Sequence, residues 1–408
     1  MHTIFGVVCL VFFNASAHAE HNQLSAEQIS EGWISLFDGE TLFGWQPTSD
    51  ADWRVEDGKI RASKGEPGWL MTTSEFADYE LHVEFKSTDT TNSGVFLRTP
   101  LHPKDPTKDC YEINIAPFDN PFPTGSLVGR LRFPENLDDQ QIPWTSYPKT
   151  DLEKKAAIDG WVSMDISVRD DETAVALFGN VLYCHTDPQP IARGHIGLQF
   201  REGEIAFRNI RLKPLSAKPV FSGRDLAGWN TRRAEASRFE VTPLGELRVL
   251  DGRGQIESNA SYGDFLLQLE CFVNGDGLNS GVFFRCIPGD FMMGYECQIH
   301  NGMKDGDPTQ PVDCGTGGFF RRQEARRIVA RDHEWFAMTL VVEGPHMAAW
   351  INGYAVSDWT DARPPDENPR RGLRLAPGTL AIQGHDPTTD LRFRKLRIVE
   401  LPKEEKRE

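Results

Sequence analysis

The strongest constraint on the fold is a long repeat within the 408-residue chain. Residues 37–45 (FDGETLFGW) return as residues 221–229 (FSGRDLAGW), 184 positions further on. Residues 92–98 (NSGVFLR) return as residues 279–285 (NSGVFFR), at a shift of 187. Solenoid units have periods of only about 20–50 residues, so a repeat of this length predicts two whole domains of one fold in tandem.

The boundary between the two copies lies at residues 213–219 (KPLSAKP). Its two prolines and small polar residues are typical of a linker. We therefore predict a first domain at residues 24–214 and a second at residues 219–401. Residues 402–408 are mostly charged, and we expect them to form a solvated tail.

The N-terminus carries an apolar run at residues 4–13, which is too short for a membrane span of about 20 residues. It is followed by Ala17-His18-Ala19, small residues at the positions that signal peptidase requires. We predict a secretory signal at residues 1–19 and an exported protein. The alternative is a short N-terminal strand, which the lack of Lys or Arg before the run favours.

The composition is that of a globular protein with an acidic surface. Hydrophobic residues make up 39% of the chain and charged residues 25%, and the formal net charge is −16. Such a surface repels the phosphates of nucleic acids and anionic lipids. We therefore expect no nucleic-acid partner, and neutral or cationic ligands fit better.

Six cysteines remain once Cys9 is removed with the predicted signal, and they are Cys110, Cys184, Cys271, Cys286, Cys297 and Cys314. An even number in an exported protein permits disulfides. Buried thiols that pack as small apolar side chains are the alternative. No Cys-x-x-Cys pair is present, so the sequence gives no support for a zinc site.

The dominant sequence period within each copy is two. In residues 79–86 (YELHVEFK), apolar and polar side chains alternate strictly, which is typical of an antiparallel strand with one wet face. Residues 161–168, 265–271 and 335–342 have the same character. Many short strands separated by Gly and Pro predict an all-β chain of two β-sandwiches or jelly rolls.

Polar side chains of the second copy fall on one face by this alternation. Glu296, Gln298 and His300 share one side of their strand, and Cys297 lies on the other. Three polar groups in a row do not suit a sandwich core, so we expect an open concave face that suits a polyhydroxylated ligand. The same alternation adds further residues to this face and turns Cys286 inward with Cys297; the added residues are Asn279, Arg285, Gln383 and His385.

The first copy retains only part of this set, namely Arg98, Glu112, Asn114 and Gln199. It has Ala116 where the second copy has His300, and Phe200-Arg201 where the second has Gly384-His385. Both imidazoles are absent, so we predict that the second domain carries any proton transfer. The alternative is that these residues are only the solvated side of an antiparallel sheet.

Other motif searches narrow the field. The chain has no Gly-x-Ser-x-Gly, no phosphate-binding loop and no His-Glu-x-x-His. Residues 305–307 (DGD) and 274–276 (NGD) offer oxygen ligands for a divalent metal such as calcium. Turn formation by Asp and Asn is the alternative explanation.

The repeated blocks resemble the 3-keto-disaccharide hydrolase domain family over nearly all of both copies. The resemblance is carried by the two blocks given above, by Tyr-Glu-x-Gln-Ile at residues 295–299 and by Trp-Ile-Asn-Gly at residues 350–353, and it is weaker across residues 117–150. It implies a concanavalin A-like jelly roll, an exported bacterial protein and activity on glycosides oxidised at C3. It carries over four site positions without assigning their roles, and these are Arg285, Glu296, Gln298 and His385.

A 3-keto sugar suits a face with one clear acid. The ketone acidifies the proton on C2, so one base can abstract it and the C1 substituent can leave by β-elimination. His385 or His300 can act as base and acid near neutral pH, and Arg285 or a metal can stabilise the enediolate. The amides of Gln298 and Gln383 can bind hydroxyls. On this hypothesis, His385→Ala or Glu296→Gln lowers turnover by at least about a hundredfold, and Glu112→Gln does much less.

Two other functions fit the same residues. A non-catalytic pair of carbohydrate-binding modules would use the face without turnover, and duplication would then raise avidity on a polymer. An exported adhesion or scaffold protein without a sugar ligand is the third interpretation.

Overall fold

The computed structural model describes residues 21–117, 120–132 and 160–403. The predicted signal at residues 1–19 and the end of the charged tail, residues 404–408, lie outside the described residues. Helix in the described ranges is limited to α1 (Ala26–Glu31), α2 (Pro106–Asp109) and a 3-10 turn at Lys304–Gly306. None of these described helices has the length and apolar character needed to cross a bilayer.

The first half of the chain folds into two antiparallel sheets. Its strands are β1 (Ile34–Ser35), β2 (Trp45–Pro47), β3 (Arg54–Glu56), β4 (Lys59–Ala62), β5 (Gly68–Thr72), β6 (Tyr79–Ser87), β7 (Ser93–Thr99), β8 (Tyr111–Ile115), β9 (Leu127–Gly129), β10 (Val162–Arg169), β11 (Glu172–Leu177), β12 (Asn180–Thr186), β13 (His195–Phe200) and β14 (Ile205–Pro214). The first back sheet has the order β12-β11-β10-β6-β14-β4-β3, with β1 also paired to β14. The first front sheet has the order β2-β5-β13-β7-β8-β9.

The second half repeats this arrangement. Its strands are β15 (Lys218–Pro219), β16 (Trp229–Asn230), β17 (Ser237–Val241), β18 (Leu247–Asp251), β19 (Gly254–Tyr262), β20 (Phe265–Val273), β21 (Ser280–Cys286), β22 (Tyr295–Ile299), β23 (Trp335–Glu343), β24 (His346–Ile351), β25 (Tyr354–Thr360), β26 (Gly378–Gly384) and β27 (Asp390–Glu400). The second back sheet has the order β17-β18-β27-β20-β23-β24-β25, with β15 also paired to β27. The second front sheet has the order β16-β19-β26-β21-β22.

The prediction of two tandem all-β sandwiches is confirmed. The sheets of one half share no strand with the sheets of the other in the described chain, and the strand orders correspond one to one except for β9. The exact domain boundaries at 24–214 and 219–401 stay a prediction.

Alternation along each strand explains why the sheets stack. In β6 the side chains of Tyr79, Leu81, Val83 and Phe85 are all at most 1% exposed and lie in the core of the first half. Every second residue of a strand points to the same side, so this row packs against the inward row of the first front sheet. A separate core fills the second half in the same way.

The cysteines do not form disulfides in the described chain. All six are free thiols, and four of them are buried, namely Cys110, Cys271, Cys286 and Cys297. Of the two alternatives that the sequence left open, the structure therefore has the buried apolar thiols.

The two halves pack against each other through both apolar and charged contacts. Trp350 of the second half is buried in the core of the first, and its indole nitrogen donates to the Ser35 carbonyl at 3.0 Å. Arg193 of the first half pairs with Asp264 of the second at 2.9 Å. The second half therefore contributes residues of its back sheet to the core of the first half.

A buried histidine lies at this contact between the halves. His346 bonds Glu343 through Nδ1 and Asp358 through Nε2, each at 3.0 Å. The same two carboxylates accept from the first half, one from the amide of Glu75 at 2.7 Å and the other from the hydroxyl of Thr73. Burial opposes the charged imidazole, but the two hydrogen bonds outweigh it and raise the pKa of His346 to about 9.

Stability is expected to depend on the charge of this histidine. Because the folded-state pKa of about 9 exceeds the ordinary value of 6.5, the contribution is full below pH 6.5 and is lost as the pH rises through 9. The free energy of unfolding of the natural protein should exceed that of His346→Gln by about 3 kcal/mol at pH 6. Urea unfolding at pH 6, 8 and 10 measures the difference, and a difference that does not shrink with pH contradicts the assignment.

Candidate functional site

A cleft of about 660 Å³ lies on the outer face of the first front sheet. Its floor is set by strand register, because residues directly opposite each other in antiparallel strands share a face. Gln199 of β13 lies opposite Trp69 of β5, and Phe96 of β7 lies opposite Glu112 of β8. These four side chains line the cleft together with Arg201.

Glu112 is the central carboxyl group of this cleft. No side chain or backbone group in the described ranges donates a hydrogen bond to its carboxylate or forms an ion pair with it. Burial raises the pKa of Glu112 to about 7, and the positive charge of Arg201 opposes that shift. The group can therefore exchange a proton near neutral pH, which is what a general acid or base needs.

Two further polar groups of the cleft lack a partner within the described chain. They are the indole N–H of Trp69 and the side-chain carbonyl oxygen of Gln199, both shielded from solvent. The Trp69 ring stands edge-on to Phe96 at 5.4 Å between ring centroids. A buried donor and a buried acceptor that stay unpaired are costly, so the cleft suits a ligand that both donates and accepts hydrogen bonds.

Asn114 has a different part in this cleft. Its side-chain amide donates to the Phe122 carbonyl, and its backbone bonds the Ser126 carbonyl at 2.8 Å. These bonds fold the described part of the loop after β8 against the sheet. Asn114 therefore shapes the wall of the cleft and presents less of its amide to a ligand than the sequence suggested.

The second front sheet has an equivalent carboxyl group that is covered. Glu296 of β22 lies opposite Phe283 of β21, and its carboxylate accepts from Arg370 at 2.9 Å. The Arg370 guanidinium also lies over the Phe283 ring at 5.1 Å and the Phe320 ring at 5.5 Å. The cavity beside Glu296 measures only about 10 Å³.

The cover is a longer connection in the second half. Sixteen residues, 362–377, link Asp361 to Gly378, whereas six residues, 188–193, make the corresponding link in the first half. The correspondence is fixed by a shared contact: the Tyr295 hydroxyl donates to Asp361 at 2.7 Å, and the Tyr111 hydroxyl donates to Asp187 at 2.6 Å. Segment 362–377 carries Arg370 onto Glu296.

Glu296 therefore differs from Glu112 in its electrostatics. Burial raises the pKa of Glu296, and the charge and hydrogen bond of Arg370 oppose the rise. A carboxylate held by a guanidinium is a weaker base than an unpaired one. The two halves thus present the same residue in two states, one open and unpaired and one covered and paired.

The other residues predicted for the second site lie near Glu296, and the charge of His385 also opposes the rise in the pKa of Glu296. The Gln298 amide donates to Asp313 at 3.3 Å, and the Asn279 amide donates to the same carboxylate. The exposed ring of His385 bonds Asp386 at 3.0 Å, and the partly buried ring of His300 accepts from the Gly302 amide at 3.1 Å. Gln383 is buried on the same face, with its amide nitrogen 3.3 Å from the Met292 sulfur.

The placement of Arg98 and Arg285 on the open face was wrong. Both residues have a φ of +47° and lie where the register of their strand shifts. A left-handed residue at such a bulge breaks the alternation and redirects the side chain. Arg98 is 2% exposed and Arg285 0%, so neither belongs to the outer face of its front sheet. Arg98 instead borders a separate cavity of about 480 Å³.

Each of these arginines instead joins segments at the end of its sandwich. Arg285 donates to the carbonyls of Gly263, Gly344 and Arg374 and pairs with Asp264 at 2.8 Å. Arg98 makes the equivalent set of bonds, to the carbonyls of Ala77, Asp170 and Ile191 and to Asp78.

The same shift overturns the prediction for Cys286. The sequence placed it inward with Cys297, but Cys286 packs with Phe283 and Ala381 outside the main core. Cys297 does lie in the core as predicted.

Sequence reasoning missed Trp69, Arg370 and the role of Arg201. Trp69 could have been found by pairing β5 with the strand that carries Gln199. Arg370 could have been suspected from the unequal lengths of the two connections, since alignment of the repeat already shows ten additional residues in the second half.

The predicted calcium ligands serve other contacts. Asp307 accepts from the amide and the hydroxyl of Thr309, at 2.9 and 2.8 Å. Asp276 pairs with His333 at 2.9 Å. Among the residues that the structure describes, no group of three or more His, Cys, Asp or Glu side chains is placed to hold a metal ion.

Comparison with known proteins agrees with the repeat. The family described as 3-keto-alpha-glucoside-1,2-lyase-like domain matches residues 32–213 and again residues 216–399. A 3-keto-disaccharide hydrolase of Bacteroides thetaiotaomicron is 32% identical over 90 residues, which cover 19% of this chain and 31% of that protein. The chain thus matches about a third of the length of this curated relative.

Two solved structures each match a little under half of the chain. A protein of Parabacteroides distasonis thought to be a glycosyl hydrolase is 17% identical, with a TM-score of 0.38, over 46% of this chain and 94% of that chain. The carbohydrate-binding module CBM66 of Bacillus subtilis is 15% identical, with a TM-score of 0.31, over 42% of this chain and 94% of that chain.

Proposed function

The chain belongs to the 3-keto-alpha-glucoside-1,2-lyase-like domain family in both of its halves, and we propose that it cleaves glycosides whose sugar is oxidised at C3, in the cleft of the first half. The observation that carries the proposal is the set of three polar groups that meet there without described partners. These are the Glu112 carboxyl, the Trp69 indole N–H and the Gln199 carbonyl oxygen. A sugar ring offers hydroxyls that both donate and accept, and an apolar face that suits an aromatic ring.

The reaction needs one base close to C2. The C3 ketone acidifies the C2 proton, and the Glu112 carboxylate takes it, so that the C2–H electron pair forms the enediolate. The C1–O bond then breaks, and the leaving alkoxide takes a proton from the Glu112 carboxylic acid. Addition of water across the new C1–C2 double bond completes a net hydrolysis, so no oxidant or reductant is consumed.

The remaining residues of the cleft have separate parts in this scheme. Arg201 supplies positive charge beside Glu112, where it favours the enediolate oxygen. Trp69 and Gln199 bind hydroxyl groups and hold the ring against the floor. A single carboxyl group suffices, whereas ordinary glycosidases use two carboxyl groups about 5 Å or about 6.5–9.5 Å apart.

The prediction that the second half carries the reaction, through Glu296, His300 and His385, remains a competing proposal. It rests on the imidazoles, which the first half lacks. Against it stand the Arg370 ion pair and the burial of the Glu296 side chain. Export also remains a proposal, which rests on residues 1–19 and on the family resemblance.

The proposal is tested by incubating the protein with 3-keto-glucosides and with the matching unmodified glucosides. We expect release of the aglycone from the keto forms only, because the unmodified sugars have no acidic C2 proton. In D₂O the recovered keto substrate should carry deuterium at C2. Sugar binding without release would instead support the tandem binding modules.

The pH dependence of the reaction should report the base. Since Glu112 must be ionised and its pKa is about 7, kcat/KM should rise about tenfold per pH unit below pH 7 and level off above it. Steady-state rates between pH 5 and 9 measure this profile. If kcat/KM instead levels off at the ordinary pKa of glutamate, a different carboxyl group is the base.

A further inference from the structure

Gly94 lies directly beneath the Glu112 carboxylate. It is in β7, opposite Asn114 and two residues before Phe96, the residue opposite Glu112. A methyl group on Gly94 would stand 2.7 Å from Oε1 of Glu112 and 2.9 Å from its Cγ. Ordinary van der Waals contacts begin near 3.4 Å, so the carboxylate occupies space that only glycine leaves free.

The backbone does not require glycine at this position. Gly94 is not among the residues with positive φ, and glycine weakens the interior of a strand. The requirement is therefore one of space above the sheet, and the group that uses this space is the Glu112 side chain.

The second half contains the same arrangement with one difference. A methyl group on Gly281 would stand 2.8 Å from Oε1 of Glu296, but Glu296 is also held by Arg370. Glu112 has no such partner in the described chain. Contact with the bare backbone of Gly94 is thus what limits the positions open to the Glu112 carboxylate.

We propose that Gly94 is a positioning residue, which lets the Glu112 carboxylate lie flat on the sheet at the place where it reaches the C2 proton. The catalytic part of this inference rests on the proposed function. A side chain at residue 94 lifts the carboxylate off the sheet into the open cleft. A displacement of about 1 Å at a reacting group can cost about 10²-fold in rate.

The test compares Gly94→Ala with Gly281→Ala, which introduces the same clash in the other half. We expect Gly94→Ala to lower kcat about 10²-fold with little change in KM, and to move the acidic limb of the pH profile below 7. Gly281→Ala should change neither quantity. The proposal is overturned if the two variants behave alike. It is also overturned if Gly94→Ala changes neither kcat nor the pH at which the rate falls on the acidic side.

Removing the side chain at residue 112 separates positioning from misfolding. Alanine lacks Cγ, Cδ and Oε1, the three nearest atoms that a methyl group on Gly94 would meet. In a Glu112→Ala background, Gly94→Ala should therefore leave the urea midpoint of unfolding unchanged, because the two positions are coupled through these atoms. A loss of stability in that background would show that the strand itself requires the glycine and would overturn the inference.

A readout that needs no turnover separates this inference from the proposed function. The Glu112 carboxyl can be titrated by carbon NMR, with Glu112→Gln identifying its signal. Gly94→Ala should lower the pKa of Glu112 toward the ordinary glutamate value, and Gly281→Ala should not. If the pKa of Glu112 falls but the protein turns over no 3-keto-glycoside, Gly94 positions Glu112 and the proposed function is wrong. If the pKa does not change, the positioning role of Gly94 is wrong.

Discussion

Replacement of Glu112 by Gln is expected to lower the turnover of a 3-keto-glycoside by at least about a hundredfold, because a positioned general base contributes about 10²–10⁴ in rate. The amide keeps the shape of the side chain and removes only its ability to take a proton. Since Trp69 and Gln199 remain, KM should change little. Initial rates over a range of substrate concentrations separate the two parameters.

Glu296→Gln is the matched variant in the second half. Glu296 is buried and paired with Arg370, so its loss should alter turnover far less than the loss of Glu112. This order is the reverse of the one expected from the imidazoles of the second half. If Glu296→Gln or His385→Ala abolishes turnover and Glu112→Gln does not, the reaction belongs to the second half.

A stability measurement shows that the loss is not misfolding. The folded-state pKa of Glu112 is raised to about 7, so above that pH the folded protein carries a buried charge that the unfolded chain solvates better. Glu112→Gln removes that charge. Its thermal midpoint at pH 8 should therefore equal or exceed that of the natural protein.

Strand alternation was sufficient to predict the fold and one face of each domain. The apolar positions of residues 79–85 are the buried row of β6. Glu112, Gln199 and Glu296 lie on the outer faces where their parity placed them. This worked because the period of a strand is a local property, and the repeat provided two readings of the same pattern.

Alternation failed where the backbone leaves the regular strand. Arg98 and Arg285 adopt a left-handed φ, which is uncommon for residues other than Gly, Asn and Asp, so nothing local in the sequence predicts it. The contact of Arg370 with Glu296 could not be predicted for another reason. Arg370 is 74 positions away in sequence and lies outside the strands, and such a contact depends on the tertiary path of segment 362–377.

Replacement of the buried Arg285 by Met is expected to lower the free energy of unfolding by about 3 kcal/mol, because three backbone carbonyls lose their donor. These are the carbonyls of Gly263, Gly344 and Arg374, whereas the Asp264 carboxylate keeps Arg193 and the Gly344 amide as partners. Met fills much of the same volume and offers no donor, so the loss is one of hydrogen bonds rather than of packing. Urea unfolding followed by tryptophan fluorescence measures the change.

The control is Arg224→Met, which removes the same charge from an exposed position and should stay within about 0.5 kcal/mol of the natural protein. Arg98→Met should behave like Arg285→Met, since its bonds are equivalent. Because Arg285 lies away from both front faces, the folded fraction of Arg285→Met should keep the kcat of the natural protein. If Arg285→Met keeps the natural stability but loses turnover, Arg285 takes part in the reaction, as strand alternation alone predicted.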